Sequence, residues 1–344
     1  MRNIIDFLGG TLLIVGLVLG VQMTWAIGAS SLDTSSVSRE LEKASTIKIK
    51  TANKDKVAQL RTDTPPVEIE PQRGELFAFI HVPQLGKDWK RAIQEGITDD
   101  VLANLGAGHY ENTAMPGGVG NSSYAGHATE GDFGALYDLR PNDEIIIETS
   151  ENWYVYKLTD QSVVTDQDAW VINPDAAGVE RGLTLTTCYP RFNSDNRRMI
   201  WHGRFVGWAP KSDGVPESLA GETTKVSERL KRSVETVSKQ VNMPVTGVVA
   251  LCELVAWLAV NLFNWLFSWR RMVEIMKHPS FNPLQWLWRL QAGLFPSHRI
   301  VFTLFRIVPL VLFVTCCVFA SWRWLCPWLA ANVPGLATPS PSVG

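Results

Sequence analysis

Leu183-Thr184-Leu185-Thr186-Thr187-Cys188-Tyr189-Pro190 is a β-branched run that stops at a cysteine and a proline. Threonine and leucine in alternation suit a pleated, half-buried surface, and proline has no N–H to continue a ladder. The thiol is therefore expected at a strand terminus, where a loop begins and a second molecule can reach it. A free thiol, with a reference pKa of about 8.5, is a poor nucleophile until something basic or positive sits beside it. Of the five cysteines, Cys252, Cys316, Cys317 and Cys326 fall in or beside apolar runs near the C-terminus, and only Cys188 lies in the polar middle of the chain. A lone cysteine in an oxidising exterior is either a buried bystander or a working thiol. The count alone does not choose.

Outward from this run, the stretches 76–82, 144–148, 153–158, 162–164 and 199–206 are also β-rich and bounded by turn residues. Helical pattern is sparse; residues 99–105 form one short candidate. Several short strands with little helix argue for a closed or nearly closed β-barrel.

Four histidines of this region could partner the thiol: His81, His109, His127 and His202. His127 stands in Tyr124-Ala125-Gly126-His127-Ala128 and His109 in Gly106-Ala107-Gly108-His109-Tyr110. Glycine before each permits close approach by a neighbour, so the residues alone leave these two in competition. A third element is Arg197-Arg198-Met199-Ile200-Trp201-His202-Gly203. Strand side chains alternate faces; if this strand neighbours that of Cys188, one of Arg197 and Arg198 can aim at the thiol, not both. A surface arginine in an ion pair is the competing reading.

The chain's ends read differently from its middle. Residues 7–27, 245–267 and 307–325 are apolar runs, and about 20 such residues span a bilayer core. The first is expected to remain as an uncleaved anchor, a signal peptide being the competing reading. Between the last two runs lie Arg270, Arg271, Lys277, Arg289 and Arg299 against one acid, Glu274, which assigns that loop to the cytoplasm. The expected organisation is an anchor (1–29), an outer stalk (30–73) with a short helix near 36–43, a β-barrel (74–210), a polar linker with an amphipathic helix (211–243), a span (244–268), a basic loop (269–306), a span (307–326) and a Pro-rich outer tail (327–344). With 32 basic and 34 acidic residues the net charge is −2, which gives no whole-chain electrostatic case for binding nucleic acid.

Thr184-Leu185-Thr186-Thr187-Cys188, with Arg198-Met199-Ile200 following it, resembles the sortase signature, and Tyr124-Ala125-Gly126-His127 resembles that family's Gly-His element. Gly74-Glu75-Leu76-Phe77-Ala78, the stretch 108–117 and Trp153-Tyr154-Val155-Tyr156 extend the likeness, which is greatest to the class E sortases of actinobacteria. It covers about residues 74–208. Ala128 stands where class E members commonly have arginine, and Tyr189 where histidine is frequent.

The resemblance implies a mainly β fold, an eight-stranded sortase-type barrel with short helices, here joined to three transmembrane helices. It implies Cys188 as nucleophile, His127 as proton-transfer partner and Arg198 as oxyanion stabiliser, with Tyr124, Thr186, Thr187 and Tyr189 flanking the substrate groove. The activity implied is a cysteine transpeptidase that cleaves a Thr-Gly bond in a Leu-Ala-X-Thr-Gly or Leu-Pro-X-Thr-Gly signal of a secreted protein. The Thr would pass to an amine of the lipid-linked peptidoglycan precursor at the outer face of a Gram-positive plasma membrane. A pilin lysine as acceptor, or a catalytically silent receptor or scaffold, are the alternatives. No cofactor is expected, because no metal-ligand cluster of believable spacing occurs.

Overall fold

The computed structural model describes residues 2–27, 32–53, 55–103, 106–129, 131–191, 195–220, 238, 240–241, 243–276, 282–285, 291, 299–333 and 341–343. Eight strands close on one another: β1 (Leu76–His81), β2 (Lys90–Glu95), β3 (Ala107–His109), β4 (Gly120–Ala125), β5 (Glu144–Glu148), β6 (Asn152–Thr165), β7 (Arg181–Tyr189) and β8 (Arg197–Pro210). Their order is β1-β2-β3-β4-β7-β8-β6-β5, with β5 returning to β1. Two pairs, β2/β3 and β4/β7, are parallel and the rest antiparallel.

The barrel closes because one face of each strand is apolar. Ile80, Ile93, Tyr124, Ile147, Tyr156 and Trp201 are among the fully or nearly fully buried side chains that fill its interior. Burial of such side chains contributes about 1.5–3 kcal/mol each, which makes this interior the main source of the domain's stability. The β-rich runs expected at 153–158 and 162–164 are one strand, β6, with an irregularity between Leu158 and Gln161. Strands β2, β3 and β4 carried no clear alternation; Gly108, Asn121 and Ser123 are strand residues because their neighbours pair with them, not through propensity. The short helix expected near 99–105 is α3 (Asp99–Leu102), residues 104 and 105 lying outside the described part.

The stretch expected to be a free stalk instead packs on the barrel beyond its helix, α2 (Thr34–Ala44). Ser45 Oγ donates to the Leu76 carbonyl, and Arg61 and Val57 form bridges to Trp208 and Val215. Glu68 accepts hydrogen bonds from Tyr154 Oη at 2.6 Å, Thr149 Oγ1 at 2.7 Å and Asn152 Nδ2 at 3.2 Å. These partners are 81 to 86 positions away in sequence, so a local pattern could not reveal them. The amphipathic helix expected over 226–241 falls almost wholly outside the described residues.

A second unit comprises the N-terminal helix and residues 238–333. Its helices are α1 (Arg2–Ile27), α4 (Val245–Met276), α5 (Arg299–Ala320) and α6 (Cys326–Asn332). Three stretches are long and apolar enough to cross a membrane: Ile4–Trp25, Val245–Leu266 and Arg306–Ala330. Both C-terminal helices begin or end inside the stretch expected to be a loop, since α4 runs to Met276 and α5 starts at Arg299. Within the unit, Trp322 Nε1 donates to the Val21 carbonyl at 3.2 Å and Trp257 lies against Phe313.

A buried ionic triad ties β1, β5 and the end of β8 together. Glu148 accepts from His81 Nε2 at 2.8 Å and from Lys211 Nζ at 2.5 Å. Burial works to raise the Glu148 carboxyl, but the His81 hydrogen bond and the Lys211 ammonium outweigh it and hold the group at about 2, below its ordinary 4.5. A depressed carboxylate stabilises the fold above its unfolded value, and that contribution is lost as pH falls from about 4.5 towards 2. Replacing Glu148 with Gln leaves the Lys211 charge buried without its counterion. We expect a loss of about 3 kcal/mol at neutral pH, measured by denaturant unfolding, and a flatter acid limb than the parent shows.

Candidate active site on the outer face of β4, β7 and β8

Three adjacent strands assemble the site. Ala125 lies opposite Thr186 in the parallel β4/β7 pair, and Gly126 N donates to the Thr186 carbonyl at 3.1 Å. Thr186 faces Ile200 and Cys188 faces Arg198 in the antiparallel β7/β8 pair. β4 ends at Ala125, and His127 follows two residues later in the loop that leaves the strand beside Thr186. Neighbouring strands are about 4.8 Å apart, so Cys188 and Arg198 lie side by side across the barrel wall.

Alternation then fixes the face. Leu183, Leu185, Met199, Trp201 and Tyr124 fill the interior. Thr184, Thr186, Cys188, Arg198, Ile200 and His202 therefore point to the other side of the wall. The competition between the two arginines is settled by the same parity. Arg198 is 5% exposed on the face of Cys188, whereas Arg197 is exposed, pairs with Asp195 and stacks over Tyr189. Two expected groove residues are corrected here: Tyr124 and Thr187 are wholly buried on the inward face, because each is one residue out of phase with the outer row. Tyr189 sits half-buried at the strand's end, stacked on Tyr137 with ring centroids 6.2 Å apart. Thr186 does lie on the outer face.

Cys188 is 1% exposed, and its carbonyl accepts a hydrogen bond from Tyr137 Oη. Burial, with the nearby Cys188 and Tyr189 groups, pushes the Tyr137 phenol up to about 12, which keeps it a donor. Arg198 is clamped by main-chain carbonyls: Nη1 donates to Asp195 at 3.0 Å and to Arg197 at 2.8 Å, and Asp166 is 3.7 Å from Nη2. Its Nε donates to the carbonyl of Ser342 at 3.1 Å. That is a guanidinium held rigidly, with one N–H aimed at a peptide carbonyl.

His127 follows β4 in a tight loop closed by Asp132, whose Oδ2 accepts the His127 N–H at 3.0 Å. Phe133 N donates back to the His127 carbonyl at 2.9 Å. Gly126 is required here, since a Cβ would lie 2.6 Å from the Phe133 ring and 2.8 Å from Asp132 Oδ1. Asp132 is fully buried, and that burial pushes its carboxyl well above the usual range against the pull of the His127 N–H. His109, the competitor in sequence, faces inward. Its Nδ1 lies 2.9 Å from Glu95 Oε2 and its Nε2 3.1 Å from the Ala114 carbonyl, so both nitrogens are engaged in the wall.

Tyr110 and Asp132 were not singled out from sequence as site residues. Tyr110 Oη is 2.8 Å from Thr186 Oγ1, beside the row. Its only sequence signal was its place directly after Gly108-His109. Asp132 showed itself only as part of an acidic segment after His127. Among the described residues no group of three or more His, Cys, Asp or Glu is placed to hold a metal ion.

A closed barrel of mixed strand direction, with a cysteine ending an internal strand and an arginine beside it, defines a class of barrel-borne thiol proteins. Residues 80–206 match the family described as the sortase domain, and the chain belongs to the sortase family. It is 37% identical over 168 residues to sortase SrtE1 of Streptomyces coelicolor, a match spanning 45% of this chain and 46% of that relative's length. Among solved structures it is 35% identical to the SrtA sortase from Actinomyces oris, covering 48% of this chain and 100% of that one with a TM-score of 0.45. Sortase E from Streptomyces avermitilis is 36% identical, covering 43% and 99%, with a TM-score of 0.39.

The Asp132 contact yields a test that separates position from charge. Asp132→Asn keeps an oxygen for the His127 N–H and should leave Cys188 alkylation at neutral pH close to the parent rate. Asp132→Ala removes the acceptor, and we expect alkylation to slow about fivefold, the worth of one hydrogen bond of roughly 1 kcal/mol, followed by mass spectrometry of the Cys188 peptide.

Proposed function

We propose that this sortase is a membrane-anchored transpeptidase in which Cys188, His127 and Arg198 carry the chemistry. The observation that supports this is the cross-strand pair of Cys188 and Arg198 on one face of β7 and β8, with the end of β4 that leads into the His127 loop bonded to Thr186 beside it. In the first step the Cys188 sulfur attacks the carbonyl carbon of a Thr-Gly bond near the substrate's C-terminus. The S–C bond forms as the C–N bond breaks, and His127, as imidazolium, gives its proton to the departing glycine amine. Arg198 donates to the carbonyl oxygen as it takes up negative charge. Its clamped guanidinium needs little reorganisation to do so, the condition under which such donors are most effective. In the second step an acceptor amine attacks the thioester carbonyl, passes a proton to His127 and releases the Cys188 thiolate.

The likeness to sortases E supports a Leu-Ala-X-Thr-Gly or Leu-Pro-X-Thr-Gly signal and a cell-wall precursor amine as acceptor. The basic character of the loop between the last two apolar stretches supports a topology with the barrel outside an actinobacterial plasma membrane. Thr186, on the outer face next to Cys188, and Tyr189, at its margin, are the proposed substrate contacts. Domain limits follow the same reading, with catalysis confined to the barrel of residues 74–210.

Cys188→Ala should abolish thioester capture while leaving thermal unfolding within about 1 kcal/mol of the parent, because a thiol adds little to stability. Arg198→Ala should lower kcat by about 10²–10³, the usual cost of one oxyanion donor. Mass spectrometry of the Cys188 peptide after incubation with candidate sorting peptides reads the acyl group directly. Transpeptidation that persists in Cys188→Ala would sink the scheme.

A further inference from the structure

Three residues from the far end of the chain lie against the outer face of β7 and β8 just described. Pro341, Ser342 and Val343 belong to the barrel's own structural unit. The Pro341 carbonyl accepts from Thr186 Oγ1 at 3.0 Å, the Ser342 carbonyl accepts from Arg198 Nε at 3.1 Å, and Val343 N donates to Tyr110 Oη at 3.0 Å. The donors are mutually consistent. Thr186 spends its only hydroxyl proton on Pro341, so Tyr110 gives its own to Thr186 at 2.8 Å and keeps a lone pair for the Val343 N–H. A single ordered chain of hydrogen bonds thus runs from one end of the tripeptide to the other. Every one of these contacts is to peptide main chain. The side-chain contact is apolar: Val343, 3% exposed, packs with Tyr110, Ala125, Val171 and Ile200.

We infer that Pro341-Ser342-Val343 is a resident ligand of the peptide groove, a segment of this chain that competes with incoming sorting peptides. The inference rests on the reading of the outer face as the substrate's site and adds to it a regulator in cis. Two physical points favour it. Arg198 Nε has its N–H directed at the Ser342 carbonyl, so a substrate carbonyl using that donor requires the segment to leave. A ligand joined to its own site acts at an effective concentration that can reach the millimolar range, so three main-chain hydrogen bonds and one buried valine suffice to hold it. Substrate then binds only the fraction of molecules whose groove is empty, which raises apparent KM without altering kcat.

The test uses the full chain in detergent. Val343→Asp forces a carboxylate into the apolar pocket, and Val343→Gly removes the buried side chain while keeping every main-chain group. Two readouts are followed: the rate of Cys188 alkylation by iodoacetamide, resolved from the other cysteines by peptide mass spectrometry, and KM and kcat for a fluorogenic sorting peptide. Both variants should alkylate about tenfold faster and lower KM about tenfold with kcat unchanged, in line with losing one buried valine. A synthetic peptide covering residues 338–344 should inhibit the variants competitively and the parent less. If alkylation rates and KM of both variants equal the parent's, the tail is not a resident ligand and the inference is overturned. If alkylation accelerates but no form turns over any sorting peptide, the occupancy stands and the proposed transpeptidase reaction is what fails.

Discussion

The cross-strand pairing of Cys188 with Arg198 is the contact on which the rest of the molecule is organised. In an antiparallel ladder a residue and its partner share a face, and a slip of one residue would turn the thiol into the barrel interior and present Thr187 instead. The register is held by the interior. Leu183, Leu185, Met199 and Trp201 fill the opposite face of the same two strands, so any slip would expose them and bury Thr186 and Arg198 in the core. Packing inside the barrel and chemistry outside it are thus two consequences of one alignment. The parallel β4/β7 pair extends that alignment by one more strand, to Ala125 at the entry of the His127 loop.

Main chain holds several of the site's polar groups in place. Arg198 is fixed by the Asp195 and Arg197 carbonyls, Cys188 is approached through its own carbonyl by Tyr137, and the His127 loop is closed through its N–H by Asp132. Side chains anchored to backbone lose little on substitution of a neighbour. Tyr137, stacked on Tyr189 and set beneath the Cys188 carbonyl, links the end of β7 to the turn after the histidine loop.

Much of the barrel could be read from the chain because β-branched runs ending at Pro or Gly are local signals. Glu144–Glu148 is a strand with the limits its composition indicates, and the Leu183–Thr187 run ends in a cysteine at the strand's edge as expected. The strands that escaped notice, β2, β3 and β4, rely on partners far away. Asn121 is buried because its amide meets Thr184 and the Val171 carbonyl, and nothing near it in sequence says so. The resemblance set Tyr124 beside the groove, and its inward burial was not legible because parity depends on where a strand begins, which a run containing Gly and two serines does not announce. The stalk reading failed for the same cause: Pro, Lys and Thr between 45 and 69 look solvated until Tyr154 and Glu68 are seen to meet. The docking of Pro341–Val343 was not legible either, since its hydrogen bonds are to main chain and a single valine is its only apolar anchor among the contacts described.

The order of strands around the barrel has a kinetic side. Because β4 and β7 are neighbours in space, the hairpin of β5 and β6 and the long connection after it must emerge before the thiol strand finds its place. Pairings between distant segments carry a loop-closure cost that is met before any contact rewards it, and such folds are slow to complete. The pairing of Cys188 with Arg198 therefore does not exist on a partly emerged chain; it comes together only when the last strand, β8, seals the wall. Until then Cys188 is a thiol on an open strand, and it acquires its neighbours only as the cylinder shuts.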